Sequence, residues 1–159
     1  MGREGITFIA NSDEHNEFGF SEESAVNRKA MMEKRMRKLE TLKKKIPNPK
    51  IYGKKDAKIT LIGWGSSKGP ILEAQKILEK EGIDANFLHL NYLNPFPSDF
   101  VSKFLNKTKK TLMIEQNITG QCSGLIREKT GMEIKDQLLK YDGRPFFPEE
   151  IIKKVKEII

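Results

Sequence analysis

A carboxylate, three carboxamides, a hydroxyl and a glycine follow directly on a short apolar run in Lys110-Thr111-Leu112-Met113-Ile114-Glu115-Gln116-Asn117-Ile118-Thr119-Gly120-Gln121. In an open α/β sheet, ligands and partners meet the fold at the carboxyl ends of the strands, so polar groups stacked there need a reason. Glu115, Asn117 and Gln121 are the first candidates. Lys58-Ile59-Thr60-Leu61-Ile62-Gly63-Trp64 has the same grammar and runs into Gly65-Ser66-Ser67-Lys68-Gly69-Pro70. Pro70 suits the first turn of a helix, whose leading amides stay free for an anion, a side chain or another backbone. Gly65, Ser66, Ser67 and Lys68 therefore join Glu115, Asn117 and Gln121 as a candidate interface or anion-binding loop. The loop has neither the Gly-x-x-x-x-Gly-Lys-Ser/Thr spacing nor Gly-x-Gly-x-x-Gly, so no nucleotide is implied by motif.

Two other groups carry less chemistry. Asn11-Ser12-Asp13-Glu14-His15-Asn16-Glu17-Phe18-Gly19 gathers three carboxylates and an imidazole, which invites a metal. Adjacent residues of an extended segment point alternately apart, however, and His89 lies far along the chain, so the segment reads as a turn or interface loop. Cys122 is the only cysteine, which excludes an internal disulfide and a multi-cysteine metal site. It reads as a small buried packing residue, although a first helical turn could lower its pKa. A self-contained hydrolase is disfavoured, with no Gly-x-Ser-x-Gly elbow and only two histidines as bases. No catalytic, cofactor-binding or metal-ligating residue is assigned.

The elements that must position these loops follow from periodicity. Parallel strands are expected near 58–64, 85–90 and 110–116, with helical spacing in Ile71-Leu72-Glu73-Ala74-Gln75-Lys76-Ile77-Leu78 and a helix from Ser98 as cap through Leu105. Glu133-Ile134-Lys135 and Leu138-Leu139 leave room for an edge strand. Pro148, Glu149 and Glu150 suit the first turn of a last helix, with Ile151, Val155 and Ile158 as its apolar stripe. Alternating strands and helices imply parallel pairing through crossovers. The expected class is α/β: a doubly wound, open, twisted, mostly parallel sheet with helices on both faces.

The chain's 159 residues suffice for one ordinary core but not for two complete domains. An N-terminal arm, 1–55, and an α/β domain, 56–159, are expected. Much of the net charge of +7 falls between Arg28 and Lys45, where Met32, Met36, Leu39, Leu42 and Ile46 recur at helical spacing. Ser21 is the expected cap and Pro47 and Pro49 the stop. The apolar stripe is expected to lie on the α/β domain or on a second copy, which leaves a homodimer open. The basic face lacks interleaved aromatics, so it reads as solvated or partner-paired rather than as a nucleic-acid surface. With no apolar run near the ~20 residues that span a bilayer and no signal-like start, the expectation is a soluble, cytoplasmic protein.

Six blocks, in order, carry a resemblance: Asp13-Glu14-His15-Asn16-Glu17-Phe18-Gly19; Asn27-Arg28 with Met32-Glu33-Lys34-Arg35-Met36-Arg37-Lys38-Leu39; Trp64-Gly65-Ser66-Ser67-Lys68-Gly69; Asn94-Pro95-Phe96-Pro97; Glu115-Gln116-Asn117-Ile118-Thr119-Gly120-Gln121; and Lys140-Tyr141-Asp142-Gly143-Arg144-Pro145-Phe146. Together they resemble the C-terminal region of the alpha subunit of 2-oxoacid:ferredoxin oxidoreductases, along nearly the whole chain.

The resemblance implies a transketolase C-terminal-like fold and a complex that oxidatively decarboxylates a 2-oxoacid, using thiamine diphosphate, magnesium, iron–sulfur clusters and coenzyme A. It implies as partners the alpha N-terminal part, the beta and gamma subunits and, through the complex, ferredoxin, with no membrane. In that family a Tyr-Pro-Ile-Thr-Pro type motif marks the substrate end of the thiamine site, and the chain lacks it. The cysteines that clusters need are absent too. The resemblance thus implies a structural and docking module with no cofactor bound by this chain alone, inactive in isolation. The polar loops would either fix turn geometry or face partner subunits near the assembled active site. The alternative is a free-standing nucleotide- or anion-binding α/β protein, and a nucleic-acid binder stands behind it.

Overall fold

The computed structural model describes residues 4, 5 and 12–159, so Asn11 and most of the extreme N-terminus lie outside the described residues. The chain divides into two compact units, Met1–Lys45 and Ile46–Ile159.

In the first unit, His15 and Ser21 form an antiparallel bridge around a turn, and the Asn16 side chain accepts from the amides of Phe18 at 3.0 Å and Phe20 at 3.2 Å. Helix α1, Ala25–Lys43, follows. Its cap is Ser24, whose hydroxyl accepts the Asn27 amide at 3.2 Å, and not the expected Ser21, which is spent on the bridge. The reason is local: with Ser21 extended, Ser24 is the next hydroxyl able to meet an orphan amide. Glu22 then lies outside the helix and accepts from the Ser24 hydroxyl at 2.7 Å. Of the α1 residues, Met31 is buried, whereas Met32, Met36 and Leu42 of the expected stripe are exposed.

The second unit is a five-stranded sheet of β1 (Lys50–Tyr52), β2 (Ile59–Trp64), β3 (Ala85–Leu90), β4 (Thr111–Glu115) and β5 (Asp136–Leu139), in the order β1-β3-β2-β4-β5. The pairs β3–β2, β2–β4 and β4–β5 are parallel; β1 adds antiparallel to β3. Strand β1 falls within the stretch assigned to the arm, so the sheet extends upstream of Asp56. Helices α2 (Lys68–Lys80), α3 (Ser98–Leu105), α4 (Gln121–Thr130) and α5 (Pro148–Ile158) complete the fold. Ser98 enters α3 as its first residue, after Pro97, rather than as the cap.

The strands are apolar at consecutive positions because both faces are covered. Ile59, Leu61, Phe87, Leu112 and Ile114 pack with Ile71, Ala74 and Leu78 of α2 and Ile151 and Val155 of α5. Ile62, Leu88 and Met113 face the other way, onto Val101 and Leu105 of α3 and Cys122 and Ile126 of α4. Each such fully buried Leu or Ile contributes about 1.5–3 kcal/mol. Gly63 has no side chain because α2 lies against it. A Cβ there would stand 2.5 Å from Cδ1 of Ile71 and 2.8 Å from Oγ of Ser67.

The connection leaving β2 runs to β3 on one side, and the connection leaving β3 returns to β4 on the other. The order therefore reverses between β2 and β4. That is the position at which open α/β sheets form a crevice outside their carboxyl ends.

Candidate functional site

At this reversal, Trp64, Gly65, Ser66, Ser67, Ile114, Glu115 and Gln116 line a cavity of about 210 Å³. The residues singled out from sequence meet here in part. The Ser66 hydroxyl donates to the Gln116 side-chain oxygen at 3.1 Å, joining the loop after β2 to the loop after β4. Gln116 also donates to the Arg144 carbonyl at 3.1 Å, so one carboxamide ties three strand-to-helix loops together. The sequence reading passed over it in favour of its neighbours. Ser67 is buried and donates to the Trp64 carbonyl at 2.7 Å, which fixes the entry into α2.

Glu115 is buried at the start of α4. Its carboxylate accepts from the amides of Cys122 at 2.8 Å and Ser123 at 2.9 Å, from the Asn117 carboxamide at 2.8 Å and from the Trp64 indole at 3.4 Å. Asn117 in turn accepts the Gln121 amide at 3.0 Å. The leading amides of α4 are thus met by side chains of the preceding turn, and the positive end of the helix dipole faces a built-in carboxylate. Gly120 makes the turn at φ 63°. Cys122 packs beneath Glu115, and burial, reinforced by the Glu115 charge, pushes its thiol up to about 12. At neutral pH it is a packing group and not a nucleophile.

Lys68 does not line the cavity. Its ammonium lies 5.6 Å from the centre of the Tyr52 ring, on the β1 side of the sheet. In the acidic loop of the first unit, Glu14 is already paired. Glu14 bonds Arg28 and Arg35, and the Arg35 hydrogen bond in particular holds the carboxyl down to about 2. The His15 ring donates from Nδ1 to the Asn16 carbonyl at 2.7 Å. Arg144 pairs with Asp142, with Nε 2.9 Å from the carboxylate.

The fold defined by this sheet and its two helical faces is the transketolase-like α/β fold. A solved split-gene transketolase shares it at a TM-score of 0.52 over 68% of this chain and 40% of its own, at 20% identity. The profile of pyruvate:ferredoxin oxidoreductase core domain II matches residues 57–151, and the chain belongs to that family. A 2-oxoacid:ferredoxin oxidoreductase alpha subunit of Saccharolobus solfataricus is 38% identical over 150 residues, covering 92% of this chain and 24% of the relative. A structure of 2-oxoglutarate:ferredoxin oxidoreductase from Magnetococcus marinus, with 2-oxoglutarate, coenzyme A and succinyl-CoA bound, superposes at a TM-score of 0.79 and 31% identity. It covers 98% of this chain, which corresponds to 27% of the longer one. The chain spans about a quarter of the length of these relatives.

The donor set does not fit the metal groups of such complexes. A cluster needs thiolates, and the one cysteine is buried and protonated. Among the described residues, no three His, Cys, Asp or Glu side chains converge as metal ligands. No described helix is long and apolar enough to cross a membrane.

Proposed function

We propose that the chain is a structural and docking module of a thiamine-diphosphate-dependent 2-oxoacid:ferredoxin oxidoreductase. The complex would convert a 2-oxoacid to an acyl-CoA and reduce ferredoxin. The observation that carries this reading is the match of nearly the whole chain to a quarter of such alpha subunits. Thiamine diphosphate, magnesium and the iron–sulfur clusters are assigned to the alpha N-terminal part and the beta and gamma subunits, and the working complex to the cytoplasm.

The carboxyl edge of the sheet is the docking face. Tyr92, Ile118, Tyr141 and Phe147, exposed large apolar side chains, all lie in loops that leave the carboxyl ends of β3, β4 and β5. Apolar groups gathered on one edge, rimmed by the polar residues of the cavity, match the anatomy of an interface. Ser66 and Gln116 of the cavity, with Gly65 beside them and Asn117 and Gln121 on the neighbouring turn, supply that rim, and Glu115 and Ser67 hold it in shape. Replacing Ile118 and Tyr141 together by lysine should abolish co-elution with the companion subunits while leaving the melting temperature within a degree or two. Unimpaired assembly of that variant would refute the assignment of the face.

A further inference from the structure

In the first unit, the loop before α1 is tied to the helix. The Asn27 carboxamide donates to the His15 carbonyl at 3.2 Å and to the Glu22 carbonyl at 3.3 Å, and Glu14 pairs with Arg28 and Arg35. Two depressions lie along α1 beside this loop, one of about 550 Å³ and one of about 380 Å³. Lys34 and Arg37 line both, so the two form one continuous groove. At its loop end Phe18 and Val26 stand around the buried Met31, and they are 72% and 82% exposed. Lys38, Leu42 and Lys45 carry the groove on toward the C-terminal end of the helix. Glu17 and Glu22 line only the loop end. Among the described residues, Lys34, Arg37, Lys38 and Lys45 form no ion pair.

Large apolar side chains held in water around a preformed depression, with cations along one end of it, match the anatomy of a peptide-binding groove. We infer that this groove docks an acidic segment of a partner protein, which sets an apolar side chain between Phe18 and Val26 over Met31 and lays its carboxylates along Lys34, Arg37, Lys38 and Lys45. Charge decides the occupant. Four unpaired cations call for carboxylates, whereas the apolar end offers nothing to a nucleic-acid strand, whose backbone is charged throughout. A second copy would bring like charges together, since Arg28 to Lys45 holds nine cations against two acids. The change of sign along the groove, from Glu17 and Glu22 to the lysines, sets the direction in which the segment lies. This surface is additional to the docking face at the sheet edge, because every residue of the groove belongs to the first unit.

The test uses the full chain and a fluorescein-labelled peptide in which single leucines alternate with pairs of glutamates. Its controls are the same peptide with glutamine for glutamate, the same peptide with alanine for leucine, and a single-stranded oligonucleotide of equal charge. Fluorescence anisotropy should show saturable binding of the first peptide, with both control peptides and the oligonucleotide weaker by about tenfold or more. The Lys34→Glu, Arg37→Glu double variant should lose affinity by a similar factor, and Val26→Ala should weaken the leucine peptide but not the alanine one. All three side chains are exposed, and a thermal melt checks that each variant keeps its fold. Should the double reversal melt early, Lys34→Gln, Arg37→Gln takes its place. Absence of saturable binding, or binding unchanged in the charge variant, overturns the groove. Equal binding of the alanine peptide overturns the apolar anchor, equal or tighter binding of the oligonucleotide makes the surface a nucleic-acid one, and self-association of the chain that the double variant abolishes makes the occupant a second copy.

Discussion

Two strand-to-helix junctions in one sheet solve the same electrostatic problem in opposite ways. At β4 to α4 the chain supplies its own anion: Glu115 is buried against the first amides of the helix and accepts from four donors. At β2 to α2 it supplies none: a short helical turn, Gly65–Ser67, runs into the helix, the Lys68 amide donates to the Gly65 carbonyl and the Ser67 hydroxyl donates to the Trp64 carbonyl. The difference teaches that a polar strand end need not be a binding site. Where a carboxylate is already met by helix amides, its role is to hold the loop.

Breaking the closed junction should have the largest effect. Glu115→Ala leaves buried donors unmet and should destabilise the domain by about 3 kcal/mol, read as the shift in urea midpoint at constant slope. Next comes Gly120→Ala, which forces a side chain into the left-handed region and against Gln137. It should cost about 1–2 kcal/mol in the same assay. At the β2–α2 junction, by contrast, Lys68→Met should change stability by only about 0.5–1 kcal/mol, because a partly exposed cation–π contact is weak. A large loss there and a small one at Glu115 would invert the comparison.

The smallest effect concerns the Glu14 pair with Arg28 and Arg35. A carboxyl held down to about 2 adds its stability above the ordinary value of 4.5 and loses it as pH falls from 4.5 toward 2. A carbon-detected titration of the Glu14 carboxyl should therefore find its midpoint well below the ordinary value of 4.5. A midpoint at 4.5 would show that the pair does not form in solution.

Much of this was legible because strand and helix periods are strong signals. Lys58–Trp64, Ala85–Leu90 and Lys110–Gln116 each showed an apolar run ending in turn chemistry, and the strands fall there within a residue or two. Strand β1 was not legible: three residues carry no period, and only pairing to β3 makes Lys50–Tyr52 a strand. The candidate loops were found as a set, but their division was hidden. Lys68 is adjacent to Ser67 in sequence, yet the helical turn sends its side chain to Tyr52 and leaves Ser66 facing Gln116. His89 read as an ordinary strand residue, because nothing local shows that its Nδ1 ends without a partner.

The central claim is that this chain docks into a 2-oxoacid:ferredoxin oxidoreductase and carries no complete active site. The most direct measurement is 2-oxoacid- and coenzyme A-dependent reduction of a viologen dye by the purified chain, before and after adding the alpha N-terminal, beta and gamma parts. The account predicts no turnover from the chain alone and turnover on reconstitution that is lost when the chain is left out. Robust activity from the isolated chain, or full activity of the other parts without it, would contradict the account.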